Sequence, residues 1–316
     1  MFTFSGMQSL HAGITMMSFL KETKTKKRSD KKMKMMSKIG VLVLALMCMA
    51  ASALADFDTS KMINVISREE GSGTRSAFVE LTGVQQKVND KKIDMTTEDA
   101  QITNNTAVML TTVAGDAYAI GYVSLGSMND SVKTVSIAGV QATAENVANG
   151  SYAIARPFNI AYRSDAITEL GMDFIAYIMS AEGQAIAAAN GYVASENAAA
   201  YDGSKPQGKL VIAGSSSVSP VMEKLAEAYQ ALNPDAQIEI QTSDSTTGMT
   251  AAVDGSCEIG MASRALKEAE AAQLTGVTIA MDGIAVIVNL ENPVSDLTVE
   301  QIGAIYTGNV MSWDEI

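Results

Sequence analysis

The chain has 316 residues, 47% of them hydrophobic, with 23 lysines and arginines against 35 aspartates and glutamates and a formal net charge of −12. That length can bury one large core or two medium ones. An acidic body of this kind repels nucleic acid and anionic membranes, so any anion it binds must be held by local donors.

The first 55 residues differ from the rest. The segment "KKMKMMSKIGVLVLALMCMAASALAD" has a basic start, an apolar run from Ile39 to about Ala50, and small residues Ala53 and Ala55 before Asp56. This is the layout of a cleaved secretory signal peptide, with cleavage expected after Ala55 and export to the periplasm or the outer face of the cell membrane. The run is shorter than the roughly 20 residues of a membrane-spanning helix. The basic stretch before it is long, so Met33, Met35 and Met36 are alternative starts. Lipoprotein anchoring through Cys48 would need a small residue before it, and Met47 and Leu46 stand there instead.

Nine of the bases and two of the acids precede Asp56, which leaves 14 bases and 33 acids, a net of −19, in the expected mature chain. The only histidine, His11, lies in the leader, and of the two cysteines only Cys257 follows it. Residues 56–316 therefore have no Ser-His-Asp or Cys-His machinery, no histidine-ligated metal and no internal disulfide. Cys257 reads as a small core residue. The Asn104–Thr106 triplet matches a glycosylation pattern, which carries little weight in an exported bacterial protein.

From Asp56 onward the periodicity predicts strands at Ile63–Ile66, Tyr118–Val123, Leu210–Ala213, Gln237–Gln241 and Val277–Asn289. It predicts amphipathic helices at Arg75–Leu81, Ile167–Ala188 and Val221–Leu232, the last with Val221, Leu225, Tyr229 and Leu232 on one stripe. Gly83 suits the C-terminal end of the first helix. Such alternation predicts α/β layers on a mainly parallel sheet. The stretch "ENAAAYDGSKPQGK" reads as a linker.

Four strand ends empty into hydroxyl- and glycine-rich junctions before a helix: "VISREEGSGTR", "VIAGSSSVSP", "EIQTSDSTTG" and "IGMASRALKE". None has P-loop spacing. A helix start offers unpaired backbone N–H groups and partial positive charge, and serine and threonine add donors. A single such residue is ordinarily a helix cap, as Ser219 before Pro220 could be, and a lone Arg68 would ordinarily pair with Glu69 or Glu70. Four junctions in one chain, with Arg68 and Arg264 inside them, point to donors converging on an oxyanion at the carboxyl ends of the strands.

These motifs, together with "GKLVIAGSSSVSPVMEKLAEAY", "QTSDSTTGM", "GMASR" and "MDGIAVIVN", resemble the phosphate-binding protein of the high-affinity phosphate ABC transporter over nearly all of residues 62–316. The resemblance implies a type II periplasmic-binding-protein fold, two α/β lobes joined by two hinge strands that close on dehydrated phosphate. It also implies a monomer that takes no cofactor, catalyses nothing and delivers inorganic phosphate to membrane permease subunits. The order departs from the usual family pattern, in which the "GKLVIAGSSS" segment comes first and "ISREEGSGTR" follows in mid-chain. A circular permutation accounts for this, with "YDGSKPQGK" joining the usual ends and Asp56 near Ile316; the alternative is a truncated tandem product. The lobes implied are residues 56–157 plus 288–316 and residues 158–287, hinged near "ARPFNIA" and "DGIAVIVN".

Residue by residue, the resemblance carries phosphate contacts to Arg68, Ser72, Gly73, Thr74 and Ser245, and to Ser216 and Ser217 in the "GSSSVS" loop. Arg264 aligns where a family member has the aspartate that accepts the proton of monohydrogen phosphate. Selectivity against sulfate needs such an acceptor. Asp282, Asp244 and Glu70 are candidates, Asp282 foremost because "MDGIAV" sits at the expected hinge. Two other readings stay open: a binding protein for sulfate or molybdate, and a secreted serine hydrolase. The latter is opposed by the missing Gly-x-Ser-x-Gly elbow and the missing histidine base.

Overall fold

The computed structural model describes residues 57–316. The expected cleavage site, the apolar run and Cys48 lie outside the described residues. In chain order, β1 (Asn64–Arg68) leads into α1 (Gly73–Leu81), the hairpin β2 (Gln85–Val88) and β3 (Lys91–Asp94), β4 (Gln101–Thr103), α2 (Thr106–Ala114) and β5 (Ala119–Ser124). Short strands β6 (Lys133–Thr134) and β7 (Ser136–Ile137) and the short α3 (Ala144–Ala148) precede β8 (Ala155–Tyr162). There follow α4 (Glu169–Ile178), α5 (Ala181–Ala189), β9 (Gly208–Ser215), α6 (Ser219–Leu232), β10 (Ala236–Ser243), α7 (Ser245–Asp254) and β11 (Ile259–Ala262). The chain closes with α8 (Glu268–Ala271), β12 (Thr275–Val288), β13 (Asp296–Leu297) and α9 (Val299–Tyr306).

The main sheet runs β10-β9-β11-β8-β12-β5-β1-β4, with β6 beside β12. The expectation of a mainly parallel sheet needs correction. The outer pairs β10/β9, β9/β11, β5/β1 and β1/β4 are parallel, but β8 and β12 run antiparallel to their neighbours. The reason is the path of β12. Its first part, Thr275–Gly283, pairs β8, and its last five residues, Ile284–Val288, pair β5. Together β8 and β12 join two α/β lobes, the arrangement of a type II periplasmic-binding-protein fold.

Each lobe has its own apolar centre. In one, Ile66, Met109, Val113, Val123 and Ile287 pack together, and the rings of Phe78 and Tyr122 stack beside them at 3.9 Å. In the other, α4 and α6 cover β9 and β11 with Phe174, Ile178, Leu210, Ile212, Leu225, Tyr229 and Ile259. Burying one such side chain contributes roughly 1.5–3 kcal/mol. On α6, Val221, Leu225 and Tyr229 are buried as the periodicity predicts, whereas Leu232 in the last turn is exposed.

The single helix expected over Ile167–Ala188 is two helices. Ser180 ends the run because its Oγ accepts from Gly183 N–H at 3.2 Å, the start of a new cap. Gly183 passes so near the previous turn that a Cβ there would lie 2.2 Å from the Tyr177 carbonyl oxygen. Gly83 stands one position past Thr82, the C-cap of α1, with φ +72°, the left-handed conformation that favours glycine there.

The expected linker forms no helix or strand before β9, and it is anchored. The hydroxyl of Tyr201 donates to Asp173, Ser204 N–H reaches the same carboxylate at 2.9 Å, and Tyr229 donates to it from α6 at 2.7 Å. The two ends of the described chain also meet: Ile63 N–H donates to the Met311 carbonyl at 2.8 Å, and Met62 pairs with Ser312 in an antiparallel bridge. Such adjacency is what joining the ends elsewhere requires.

Candidate functional site

The C-terminal ends of β1, β4, β9, β10 and β11 face one another across the middle of the sheet, and each delivers a hydroxyl residue. After β1, Ser72 caps α1, its Oγ accepting from Arg75 N–H at 3.3 Å, and Gly73 and Thr74 form the first turn. After β4, Asn105 caps α2, which begins with Thr106. Ser216 and Ser217 follow β9. Asp244 caps α7, which begins with Ser245. Ser263 follows β11. Every one of these serines and threonines is buried.

Their side chains form one network across the lobes. Thr74 Oγ1 stands 2.8 Å from Ser217 Oγ and 3.4 Å from Ser263 Oγ. Thr106 Oγ1 lies 3.3 Å from both Ser216 Oγ and Ser217 Oγ. Ser245 Oγ accepts from Ser263 N–H at 3.1 Å. The approach is close enough to require glycine: a Cβ on Gly73 would lie 2.3 Å from Ser245 Oγ, and one on Gly71 2.3 Å from Asp244 Oδ1. Thr246 N–H donates to the Gly71 carbonyl at 3.2 Å, so the two walls touch.

Arg68 enters from the end of β1, 1% exposed. Its Nε–Nη2 edge is engaged by Glu69 at 2.8 and 2.7 Å. The remaining edge faces the hydroxyls, with Nη2 3.1 Å from Ser216 Oγ and Nη1 3.5 Å from Thr106 Oγ1. Tyr122 supports this residue from behind: its hydroxyl accepts from Arg68 N–H at 3.2 Å and lies 2.9 Å from Ser67 Oγ. Burial pushes the Tyr122 phenol up to about 12, so it stays neutral.

Two of the expected residues stand apart. Arg264 turns away to Glu270, with Nη1 and Nη2 donating to its two carboxylate oxygens at 2.7 and 2.8 Å. Six residues separate the partners, and the turn into α8 brings them together, so Arg264 serves this local pair. Asp282 reaches the hydroxyls only through Arg156. Its Oδ2 accepts from Arg156 Nε and Nη2 at 3.2 and 2.9 Å, and its Oδ1 from Ser124 Oγ at 3.0 Å. Burial holds the Asp282 carboxyl above the ordinary range, and the Arg156 charge pulls against that shift. Asp244 is spent capping α7, taking Thr247 N–H at 2.9 Å.

Three residues of the network are absent from the expected set: Thr106, Arg156 and Ser263. Ser263 stands beside Arg264 in "GMASR". Thr106 followed an asparagine cap, a readable helix start. Arg156 lay in the expected hinge strand, but only the β8/β12 register sets it opposite Asp282.

Electrostatically, Arg68, Arg156 and Arg264 are each paired with a carboxylate, Glu69, Asp282 and Glu270. Beside the network opens a cavity of about 880 Å³ lined by Glu69, Asn105, Thr106, Ser216, Glu223 and Asp244. Neutral donors packed around guanidinium edges suit a small oxyanion, whose oxygens accept many hydrogen bonds. Among the described residues no group of three histidines, cysteines, aspartates or glutamates is placed to hold a metal ion.

The PBP superfamily domain matches residues 55–182 and 199–315. The phosphate-binding protein PstS 2 of Streptococcus agalactiae is 49% identical over 290 residues, 90% of this chain and 99% of that one. The crystal structure of a phosphate ABC transporter phosphate-binding protein from Streptococcus pneumoniae aligns with TM-score 0.65 at 44% identity, covering 81% of this chain and 99% of that chain. The chain belongs to the PBP superfamily and, within it, to the family of the phosphate-binding protein PstS. The alignment to the S. agalactiae protein runs through that protein nearly from end to end, so the two chains share one segment order over the matched residues. PstS of Bacillus subtilis matches over only 115 residues, 35% of this chain and 38% of that one, at 33% identity.

Proposed function

We propose that the protein captures inorganic phosphate in the cleft between its lobes and delivers it to the membrane permease of an ABC importer. The family membership supports the class of function, and one observation carries the site: hydroxyls from five separate strand ends meet between the free edge of Arg68 and the Arg156–Thr74 contact. Arg68 supplies charge-assisted bonds from its Nη1–Nη2 edge. Thr74, Thr106, Ser216, Ser217 and Ser245 supply hydroxyls, and the first turn of α1 at Gly73 and Thr74 supplies backbone N–H groups. Ser72 holds that turn in place.

Residues 56–157 with 284–316 would form one lobe and residues 158–283 the other, the end of β12 going with the β5 side that it pairs, and the two would move about β8 and β12. An anion touching both walls stabilises the closed state by its differential affinity. The protein would work extracytoplasmically as a monomer, after cleavage behind Ala55. Arg264 and Asp282 belong to this site through their neighbours, not as direct contacts.

One observation favours a second reading. Glu69, Asp282 and Glu270 are each tied to an arginine and Asp244 caps α7, so these carboxylates are already engaged where a phosphate proton would need an acceptor. A fully deprotonated oxyanion such as sulfate would then bind as well. Calorimetric titration of residues 56–316 with phosphate, sulfate and molybdate tests both. We expect saturable phosphate binding at one site; binding of sulfate or molybdate in preference to phosphate would overturn the assignment.

A further inference from the structure

We propose that Arg156 is a positioning residue for anion capture: clamped by Asp282, it aims the Thr74 hydroxyl at the anion and ties Thr74 to the opposite wall at Ser263. The inference rests on the phosphate reading above and goes beyond it, since neither the four hydroxyl-rich junctions nor the resemblance points to Arg156.

Arg156 lies on β8 directly opposite Asp282 on β12, so the pair sits on the two strands that join the lobes. Both side chains are almost fully buried, 2% and 1% exposed. The Nε and Nη2 groups donate to Asp282 Oδ2, and the guanidinium carbon lies 4.9 Å from the centroid of the Phe158 ring. These contacts fix the plane of the guanidinium. Nη1 then projects into the hydroxyl network, donating to Thr74 Oγ1 at 2.9 Å and to the Ser263 carbonyl at 2.6 Å.

A terminal guanidinium nitrogen carries two hydrogens, and Nη1 has placed both. It therefore has none left for the anion and acts through Thr74. A hydroxyl has one hydrogen and two lone pairs. With one lone pair taken by Arg156, the hydrogen of Thr74 is turned away from the guanidinium, to the side where Ser217 Oγ lies at 2.8 Å and Ser263 Oγ at 3.4 Å, contacts in which either hydroxyl can donate. Restricting that hydrogen to one side before an anion arrives lowers the reorganisation cost of binding. The second bond does a different job. Thr74 belongs to the turn after β1 and Ser263 to the end of β11, so one nitrogen holds donors from both walls at a fixed separation. A lysine at this position would keep the charge but could not grip Asp282 and span both acceptors at once.

The test is a double-mutant cycle read by calorimetric titration with inorganic phosphate, using residues 56–316 as wild type, Thr74→Val, Arg156→Lys and the double variant, with phosphate-free Tm measured for each. We expect Thr74→Val and Arg156→Lys each to weaken phosphate binding at least tenfold, and the double variant to bind no more weakly than Thr74→Val alone. A residue that merely supports the fold would give losses that add. If Arg156→Lys does not fold, Asp282→Asn, which loosens the clamp and keeps Arg156, takes its place in the cycle with the same expectation. Additive losses, or unchanged affinity in the replacement variant, would overturn the role of Arg156 while wild-type phosphate binding stands. Absence of phosphate binding by the wild type would instead overturn the functional reading on which it rests.

Discussion

Thr74 Oγ1 and Ser217 Oγ stand 2.8 Å apart, although 143 positions separate the two residues in the chain and different strand ends deliver them. The pair measures whether the cleft is shut. Thr74 also bonds Arg156 and Ser217 also meets Thr106, so removing one hydroxyl leaves the other partnered but takes a donor from the anion, where a hydrogen bond to a charged group is worth roughly 1.5–3 kcal/mol. Thr74→Val and Ser217→Ala should each weaken phosphate binding by about tenfold or more in a calorimetric titration, with little change in phosphate-free Tm.

Arg68 divides its donors between Glu69 and the hydroxyl network, and only a fork can do both. A lysine could hold Glu69 or reach the anion, but not both. With hydrogen bonds to charged groups worth roughly 1.5–3 kcal/mol each, Arg68→Lys should lower phosphate affinity by about 100-fold. Equilibrium dialysis with labelled phosphate would read the loss.

Two glycines should respond in opposite ways to the same change. A Cβ on Gly73 meets the side chains of Ser245 and Ser263 across the cleft, at 2.3 and 2.8 Å. Gly73→Ala should therefore hold the walls apart and weaken phosphate binding, while the phosphate-free Tm barely moves. A Cβ on Gly248 meets backbone within one lobe, 2.5 Å from Gly214 Cα and 2.6 Å from the Ala213 carbonyl oxygen. Gly248→Ala should cost about 1–3 kcal/mol of stability by overpacking, measured by urea unfolding without phosphate.

The pH dependence of stability has separate limbs with named causes. Burial holds the folded-state Tyr122 phenol at about 12, against about 10 in the unfolded chain. Its contribution is fully present below pH 10 and is lost as pH rises from about 10 to about 12, because the unfolded chain releases its proton first. Tyr122→Phe should flatten that part of the alkaline limb. At the acid end, burial pushes the Glu270 carboxyl up, but Arg264 and the Lys267 N–H outweigh it and leave it below the ordinary glutamate range. That contribution is present above the unfolded value and lost as pH falls through the folded one, so Glu270→Gln should soften the acid limb. Urea unfolding across pH reads both.

The strand–hydroxyl–helix junctions were legible because their chemistry is local: a cap needs a serine, threonine, asparagine or aspartate at one position whatever lies elsewhere. Thus Ser72, Thr74, Ser216, Ser217 and Ser245 could be picked from the chain and are found together. Arg156 could not, because its meaning depends on the pairing of β8 with β12, strands separated by more than 100 residues. Arg264 was legible by its place after β11, while its pairing with Glu270 depends on the turn into α8. The break at Ser180 was hidden by periodicity that continues across it, and it is set by the Ser180 cap on Gly183 together with the close pass of Gly183 against Tyr177.

Each guanidinium around the cleft arrives with its own carboxylate, so the vacant receptor is balanced before cargo arrives and again after cargo departs. Unloading then asks for no proton and no substitute ion to fill a charged void; parting the walls suffices. The same balance leaves the acidic exterior as the main long-range field that an incoming dianion meets. Moderate salt, by screening that field, should quicken loading where most anion receptors would be slowed.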